Sequence, residues 1–160
     1  MREEKSAARE LFLLFKEKRL TFATAESCTG GMIGEAITEI PGSSEVYLGG
    51  VISYANSVKE NVLGVSHDTL ITYGAVSVET AREMAEGVRR LTGADVAVSV
   101  TGIAGPDGGS AAKPVGTVCF GVSSADGVKT ERVQFSPALT REDIRRAAVL
   151  YALRLAIGEA

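Results

Sequence analysis

Ser44, Tyr54 and Lys59 fall within one short stretch, Pro41 to Lys59. A serine becomes a useful nucleophile only when a base takes its proton. The chain holds a single histidine, His67, so the commonest base is scarce. A lysine serves instead where its surroundings favour the neutral amine. Asn56 reads as a helix N-cap, which places Lys59 in the first turn of the helix that follows. There the positive end of the helix dipole disfavours an ammonium. A lysine at that position breaks a local rule, and such breaks gather at functional sites. The plain alternative is a solvated lysine, a core tyrosine and a turn serine, and spacing alone does not displace it.

Two loops offer places for a substrate. The first, Ala25-Glu26-Ser27-Cys28-Thr29-Gly30-Gly31, runs directly into a helix. Free N–H groups at a helix start bind anions, and glycines let a ligand approach the backbone. The second, Thr101 to Gly109, follows an apolar strand and contains Gly102, Gly105, Gly108 and Gly109. In open α/β sheets, ligands bind beyond the carboxyl ends of strands. Neither loop contains Gly-Lys-Ser/Thr or G-x-G-x-x-G; two tight turns are the plain reading. Cys28 is a rival nucleophile, because a cysteine at a helix start is acidified. Glu26, Lys59 and Cys28 would then form the reacting set. A small buried cysteine is the commoner outcome.

The elements that must position these residues follow from hydrophobic period and caps. Residues 4–19 read as an amphipathic N-terminal helix with Ala7, Leu11, Leu14 and Phe15 on one face. Thr21 to Ala25 reads as a strand. Thr29 reads as the cap of a helix bearing Ile33, Ala36, Ile37 and Ile40, stopped by Pro41-Gly42. Gly50 to Tyr54 reads as a strand and Ser57 to Leu63 as a helix. Ser77 caps a helix with Ala81, Met84, Ala85, Val88 and Leu91 inward and Gly93 at its end. Ala94 to Val100 is almost wholly apolar, the pattern of a central strand. Thr117–Ser123 and Lys129–Phe135 form a hairpin around Ala125-Asp126-Gly127. Thr140 and Asp143 open the last helix as a capping box, with Ile144, Ala147, Ala148, Tyr151 and Leu155 inward. This interleaving predicts an α/β fold: a mixed sheet with helices on both faces, three layers in one domain over residues 1–160.

Composition narrows the function classes. The chain has 160 residues, 45% hydrophobic, with a net charge of -3. No basic face for nucleic acid is expected. No apolar run reaches the ~18 residues of a membrane span, and Met1-Arg-Glu-Glu-Lys-Ser lacks the apolar core expected of a signal peptide. Two cysteines, Cys28 and Cys119, give no disulfide framework, so a reducing cytoplasmic home is expected. His67 with two cysteines makes no metal set, and His67 itself is given no chemistry.

Taken together, six segments resemble the CinA C-terminal domain family of nicotinamide-nucleotide amidases. They are Ala25–Gly31, Pro41–Ser44, Gly49–Tyr54, Gly74–Ser77, Val100–Gly109 and Lys113–Thr117, and the resemblance runs from about Thr21 to Leu155. It implies the stand-alone form, and hydrolysis of nicotinamide mononucleotide to nicotinate mononucleotide and ammonia. It also implies a Ser–Lys–Tyr set without metal or cofactor, in which Ser44 is the nucleophile beside Ser43, and Lys59 and Tyr54 complete the set. The glycine loops would hold the substrate, with Ser27, Thr29, Gly30, Gly31, Thr101, Gly102 and Gly105 as binding candidates. Arg141 matches a substrate-site arginine. The family's Gly-Asp-Arg is replaced here by Pro137-Ala-Leu-Thr-Arg141, so Arg145 is a second candidate.

On this reading neutral Lys59 deprotonates Ser44, an acyl-enzyme forms, and water releases the acid. Ten residues of straight strand would hold Ser44 about 33 Å from Tyr54. Either the chain turns near Gly49-Gly50, or a second subunit of a homodimer or higher homo-oligomer brings Ser44 to its partners. Two non-catalytic readings stand beside the amidase: a nucleotide sensor, and a competence-linked interaction module with a large exposed apolar patch.

Overall fold

Bulky and small side chains are sorted between the two faces of a single sheet, and that sorting sets the three layers. The computed structural model describes residues 2–160. The elements are α1 (Glu3–Lys18), β1 (Phe22–Glu26), α2 (Met32–Thr38), β2 (Tyr47–Ile52), α3 (Asn56–Asn61), α4 (His67–Tyr73), α5 (Val78–Thr92), β3 (Val96–Gly102), β4 (Thr117–Ser124), β5 (Gly127–Gln134) and α6 (Arg141–Ile157). The strand order is β2-β1-β3-β4-β5. β1 runs parallel to β2 and β3, and β3-β4-β5 is antiparallel.

One face of the sheet carries Phe22, Val96, Val98, Val100, Val118, Phe120 and Val122 and packs on α1, α2 and α6. The other carries Ala23, Ala25 and Ala97, with Met84 and Val88 of α5 and Leu63, Val65 and Leu70 beside it. Small side chains let α5 approach closely: Ser99 Oγ donates to the Ala81 carbonyl at 2.5 Å. The expected mixed sheet with helices on both faces is what forms.

Several boundaries differ from the sequence reading. β2 starts at Tyr47 rather than Gly50 and stops at Ile52. Asn56 is the first residue of α3, and its N-cap position is Ala55. Gly31, not Thr29, is the N-cap of α2. α4 is an additional short helix. Leu91 is 58% exposed, because the core-facing stripe of α5 ends at Val88. On α6 the buried face is Ile144, Ala148, Val149, Ala152, Leu153 and Ala156. Ala147, Tyr151 and Leu155 lie at its margin, since from Ala147 onward the helix is apolar nearly all round and periodicity does not single out one face. The caps of α5 and α6 form: Ser77 Oγ accepts from Thr80 N–H and Thr140 Oγ1 from Asp143 N–H, the hydroxyl half of the expected box at Thr140.

The connection β1–α2–β2 runs over one face of the sheet, and the connection from β2 through α3–α5 to β3 runs over the other. At the neighbouring carboxyl ends of β1 and β2, where they start, the two diverge, and such a crevice is where open parallel sheets bind ligands. The loops after β1, β2 and β3 all open there. Gly87 lets α5 pack closely on its neighbour. A Cβ on it would lie 1.9 Å from the Leu63 carbonyl oxygen, at the chain segment just after α3. Gly87→Ala is therefore expected to lower stability by about 1–3 kcal/mol, as overpacking does. That is a drop of several degrees in Tm for a domain of this size. A wild-type melting temperature would contradict it.

Candidate active site

Lys59 is 1% exposed, although it carries an ammonium when protonated. Its Nζ donates to the Ser53 carbonyl at 2.6 Å and the Tyr54 carbonyl at 3.3 Å, and lies 3.1 Å from Ser27 Oγ. Burial holds the amine below its usual value of 10.5. The lowered pKa expected from the sequence is present, but its cause is desolvation rather than a helix start. In the neutral form two N–H bonds serve the two carbonyls. The nitrogen lone pair is then left for the Ser27 hydroxyl.

Parallel pairing makes this meeting. Glu26 stands opposite Ile52, so the residues after β1 and β2 emerge side by side. Ser27 N–H donates to the Val100 carbonyl and Ser53 N–H to the Glu26 carbonyl, which fixes both. Ser44 is elsewhere. It is exposed, in the 3-10 turn Ser43–Glu45 before β2, at the opposite end of that strand from Lys59. Six residues of extended strand between them span about 20 Å. Within one chain the serine within reach of Lys59 is Ser27, and the expected meeting of Ser44 with Lys59 is not made. Tyr54 lines the pocket and is 65% exposed. Its hydroxyl accepts from Arg141 at 3.4 Å, while only its carbonyl touches Lys59.

The helix-start anion site read from the first loop is filled by the chain itself. The Glu26 carboxylate, 2% exposed, accepts from Thr29 Oγ1 (2.6 Å) and from the N–H groups of Gly31 (3.2 Å), Ile33 (3.0 Å) and Gly34 (3.1 Å). Thr29 and Gly31 therefore serve this carboxylate, and no phosphate displaces it without leaving a buried charge unpaired. The sequence signal was a glutamate closing a buried strand just before Thr-Gly-Gly. Gly30 N–H closes a turn on the Ser27 carbonyl. Thr101 Oγ1 donates to the Ala75 carbonyl at 2.9 Å, tying the loop after α4 to the pocket wall. Gly102 ends β3 opposite Val118, and the Gly105 carbonyl accepts from Arg141 at 2.6 Å. Arg145 reaches the main chain of the first loop instead of the pocket.

A pocket of about 260 Å³ opens over Ser27 and Lys59, walled by Val76, Ile103, Ala104 and Tyr54. Ala104, Asp107, Gly108 and Arg141 also border an outer cleft of about 910 Å³ that runs to Pro137 and Leu139. Cys28 lines the inner pocket, but burial pushes its thiol up to about 12. A thiol so rarely ionised is a poor nucleophile. Cys28→Ala is expected to keep kcat within about tenfold, since no bond-making step passes through the sulfur. Complete loss with an unchanged melting temperature would restore the cysteine reading. Among the described residues no group of three or more histidine, cysteine, aspartate and glutamate side chains is placed to hold a metal ion, and no helix is long and apolar enough to cross a membrane.

The CinA C-terminal domain model matches residues 4–159. The chain belongs to that family. It is 52% identical over 151 residues to a protein of Enterobacter agglomerans named nicotinamide-nucleotide amidohydrolase PncC, covering 94% of this chain and 91% of that one. It is 47% identical over 140 residues to a CinA-like protein of a Thermotoga species, of which it spans about a third of the length (34%). A solved structure of the competence/damage inducible protein CihA from Agrobacterium tumefaciens superposes with a TM-score of 0.95 at 43% identity, covering 99% of this chain and 96% of that one. Family membership thus extends over nearly the whole chain, and it includes a relative of similar length whose name states an amidase activity.

Proposed function

We propose that this CinA-family chain hydrolyses the carboxamide of nicotinamide mononucleotide, with Ser27 as nucleophile and Lys59 as base. The observation that carries the mechanism is the buried Lys59 amine 3.1 Å from Ser27 Oγ, held by two carbonyls. The substrate rests on the 52% identity to the named amidohydrolase. Lys59 Nζ takes the Ser27 proton, and Oγ adds to the carboxamide carbon. The resulting ammonium returns a proton to the amide nitrogen, the C–N bond breaks and ammonia leaves. Water, deprotonated by Lys59, then adds to the ester. The C–Oγ bond breaks, the proton returns to Ser27 and nicotinate mononucleotide departs.

The inner pocket suits the carboxamide and ring. Val76, Ile103 and Ala104 supply apolar contact, and the exposed Tyr54 ring offers a π face to a cationic pyridinium. The outer cleft suits the ribose phosphate, with Arg141 at the junction as its cation. Remote binding of the phosphate can be used to orient the amide. Purified protein should therefore release ammonia from nicotinamide mononucleotide with a kcat/KM far above that for free nicotinamide. Equal specificity constants would remove the nucleotide from this reading, and no release from either would remove the amidase.

A homodimer or higher homo-oligomer in a reducing cytoplasm fits the same chain. Edge strand β2 bears no charged residue and exposes Leu48 and Ile52. Such an edge invites pairing. Both cysteines are free and buried.

A further inference from the structure

Two side chains of opposite charge stand at the junction of the inner pocket and the outer cleft. Asp107 and Arg141 line both spaces. Among the described residues neither takes part in an ion pair, with the other or with a third group. Arg141 gives one N–H to the Gly105 carbonyl at 2.6 Å and another to the Tyr54 hydroxyl at 3.4 Å, which holds it at the mouth. No described donor gives a hydrogen bond to the Asp107 carboxylate.

An exposed, unpaired carboxylate is ordinarily just hydrated. Asp107 differs in where it stands and in how its loop is held. A Cβ on Gly105 would lie 2.5 Å from Val115 Cγ1, and one on Gly109 would lie 2.8 Å from the Val115 nitrogen. The main chain on either side of Asp107 therefore rests on Val115. The ends of the loop are tied as well: Ile103 N–H donates to the Thr117 carbonyl and Ser110 N–H to the Lys113 carbonyl, each at 2.9 Å. A carboxylate carried on a loop so fixed binds a ligand with little ordering cost.

The substrate's own order decides what meets it. With the carboxamide and ring in the inner pocket and the phosphate in the outer cleft, the ribose passes the junction. Its vicinal hydroxyls are two O–H donors, and an ionised carboxylate is an acceptor with two oxygens. Hydrogen bonds of that kind are short and strong, and acidic residues hold ribose hydroxyls in this way at dinucleotide sites. The pyridinium ring offers the carboxylate charge but no N–H, because its nitrogen carries the sugar.

We infer that Asp107 recognises the ribose, accepting from its 2′- and 3′-hydroxyls, and so selects nucleotides whose diol is free. The inference rests on the amidase reading and extends it to the sugar. A phosphate ester on the diol removes a donor and sets like charges together, so such a nucleotide is refused.

The test measures ammonia release by wild type, Asp107→Ala and Asp107→Asn from nicotinamide mononucleotide and from its 2′,3′-dideoxy analogue, with a melting temperature for each protein. The analogue keeps the cationic ring, the amide and the phosphate, and loses only the diol. For wild type, kcat/KM should be about 10–100-fold lower on the analogue, the worth of hydrogen bonds to a charged group. Asp107→Ala should lose about the same factor on nicotinamide mononucleotide. On the analogue it should lie within about threefold of wild type, since the partner it lacks is already gone. Asp107→Asn, with one acceptor oxygen and no charge, should fall between. A wild type that treats the two nucleotides alike would overturn the inference without any variant. Full activity of Asp107→Ala on nicotinamide mononucleotide would also overturn it. So would an equal loss on both nucleotides, which would assign Asp107 to the ring cation or to the loop's own structure. If Asp107→Ala does not fold, Asp107→Asn decides by the same comparison. A wild type that releases no ammonia from nicotinamide mononucleotide would overturn the amidase reading and this inference together, whereas the other outcomes reach only the inference.

Discussion

Lys59→Arg is expected to cost about 10²–10⁴-fold in kcat, the range assigned to a lost general base. Arginine keeps the charge and nearly the length, but it does not deprotonate at any working pH. The native amine can. It is buried to 1% exposure and its pKa lies below 10.5 for that reason. The sign of the pH dependence follows. The ammonium is the inactive form, so wild-type kcat/KM rises with pH and levels off above the lowered pKa. The same shift makes the native state bind its proton less tightly than the unfolded chain. Stability therefore also rises between the folded pKa and 10.5. A Lys59→Arg protein, folded by circular dichroism and turning over near the wild-type rate, would show that Lys59 acts only as a positive charge. Ser27 would then have no base.

Ser27→Ala is expected to lose at least about 10⁴-fold in kcat, as loss of a nucleophile does in other serine hydrolases. Ser44→Ala should keep most of the activity, because Ser44 is exposed at the far end of β2 from Lys59. The pair of variants separates two accounts. If Ser44→Ala is inactive and Ser27→Ala active, the serine that attacks comes from a second subunit, as the sequence left open. In that case mixing inactive Ser44→Ala with inactive Lys59→Ala should restore part of the turnover through mixed dimers. The Ser27 account predicts no restoration from that mixture beyond what Ser44→Ala has alone.

The layers and most elements were legible because they rest on local period and caps. β3 is mostly apolar, buried up to Thr101 and central; Ser77 and Thr140 sit at helix starts with their partners three residues on. The face of α6 was not legible, since from Ala147 to Ile157 only Arg154 is charged and so nearly uniform an apolar run has no stripe to read. Lys59 was found for a reason that does not hold: Ala55, not Asn56, occupies the cap, and burial lowers the pKa. Ser27 was seen only as a binding residue. It and Lys59 are 32 positions apart, and what joins them is the parallel register of β1 with β2. No local spacing encodes that register. Glu26 hid for a related reason. Its four donors belong to Thr29, Gly31, Ile33 and Gly34, and a sequence shows the carboxylate and the helix start without showing that one fills the other.

Mapping the covalent intermediate tests the central claim most directly. Protein turning over nicotinamide mononucleotide would be quenched in acid, which protects an acyl ester, and cut after Glu26, Glu35, Glu39 and Glu45. Those cuts place Ser27 and Ser44 on different peptides. The account predicts the nicotinate mononucleotide acyl group on the peptide 27–35, at Ser27, and its absence from Lys59→Arg protein. The same acyl group on the peptide 40–45, or on Cys28, would contradict it.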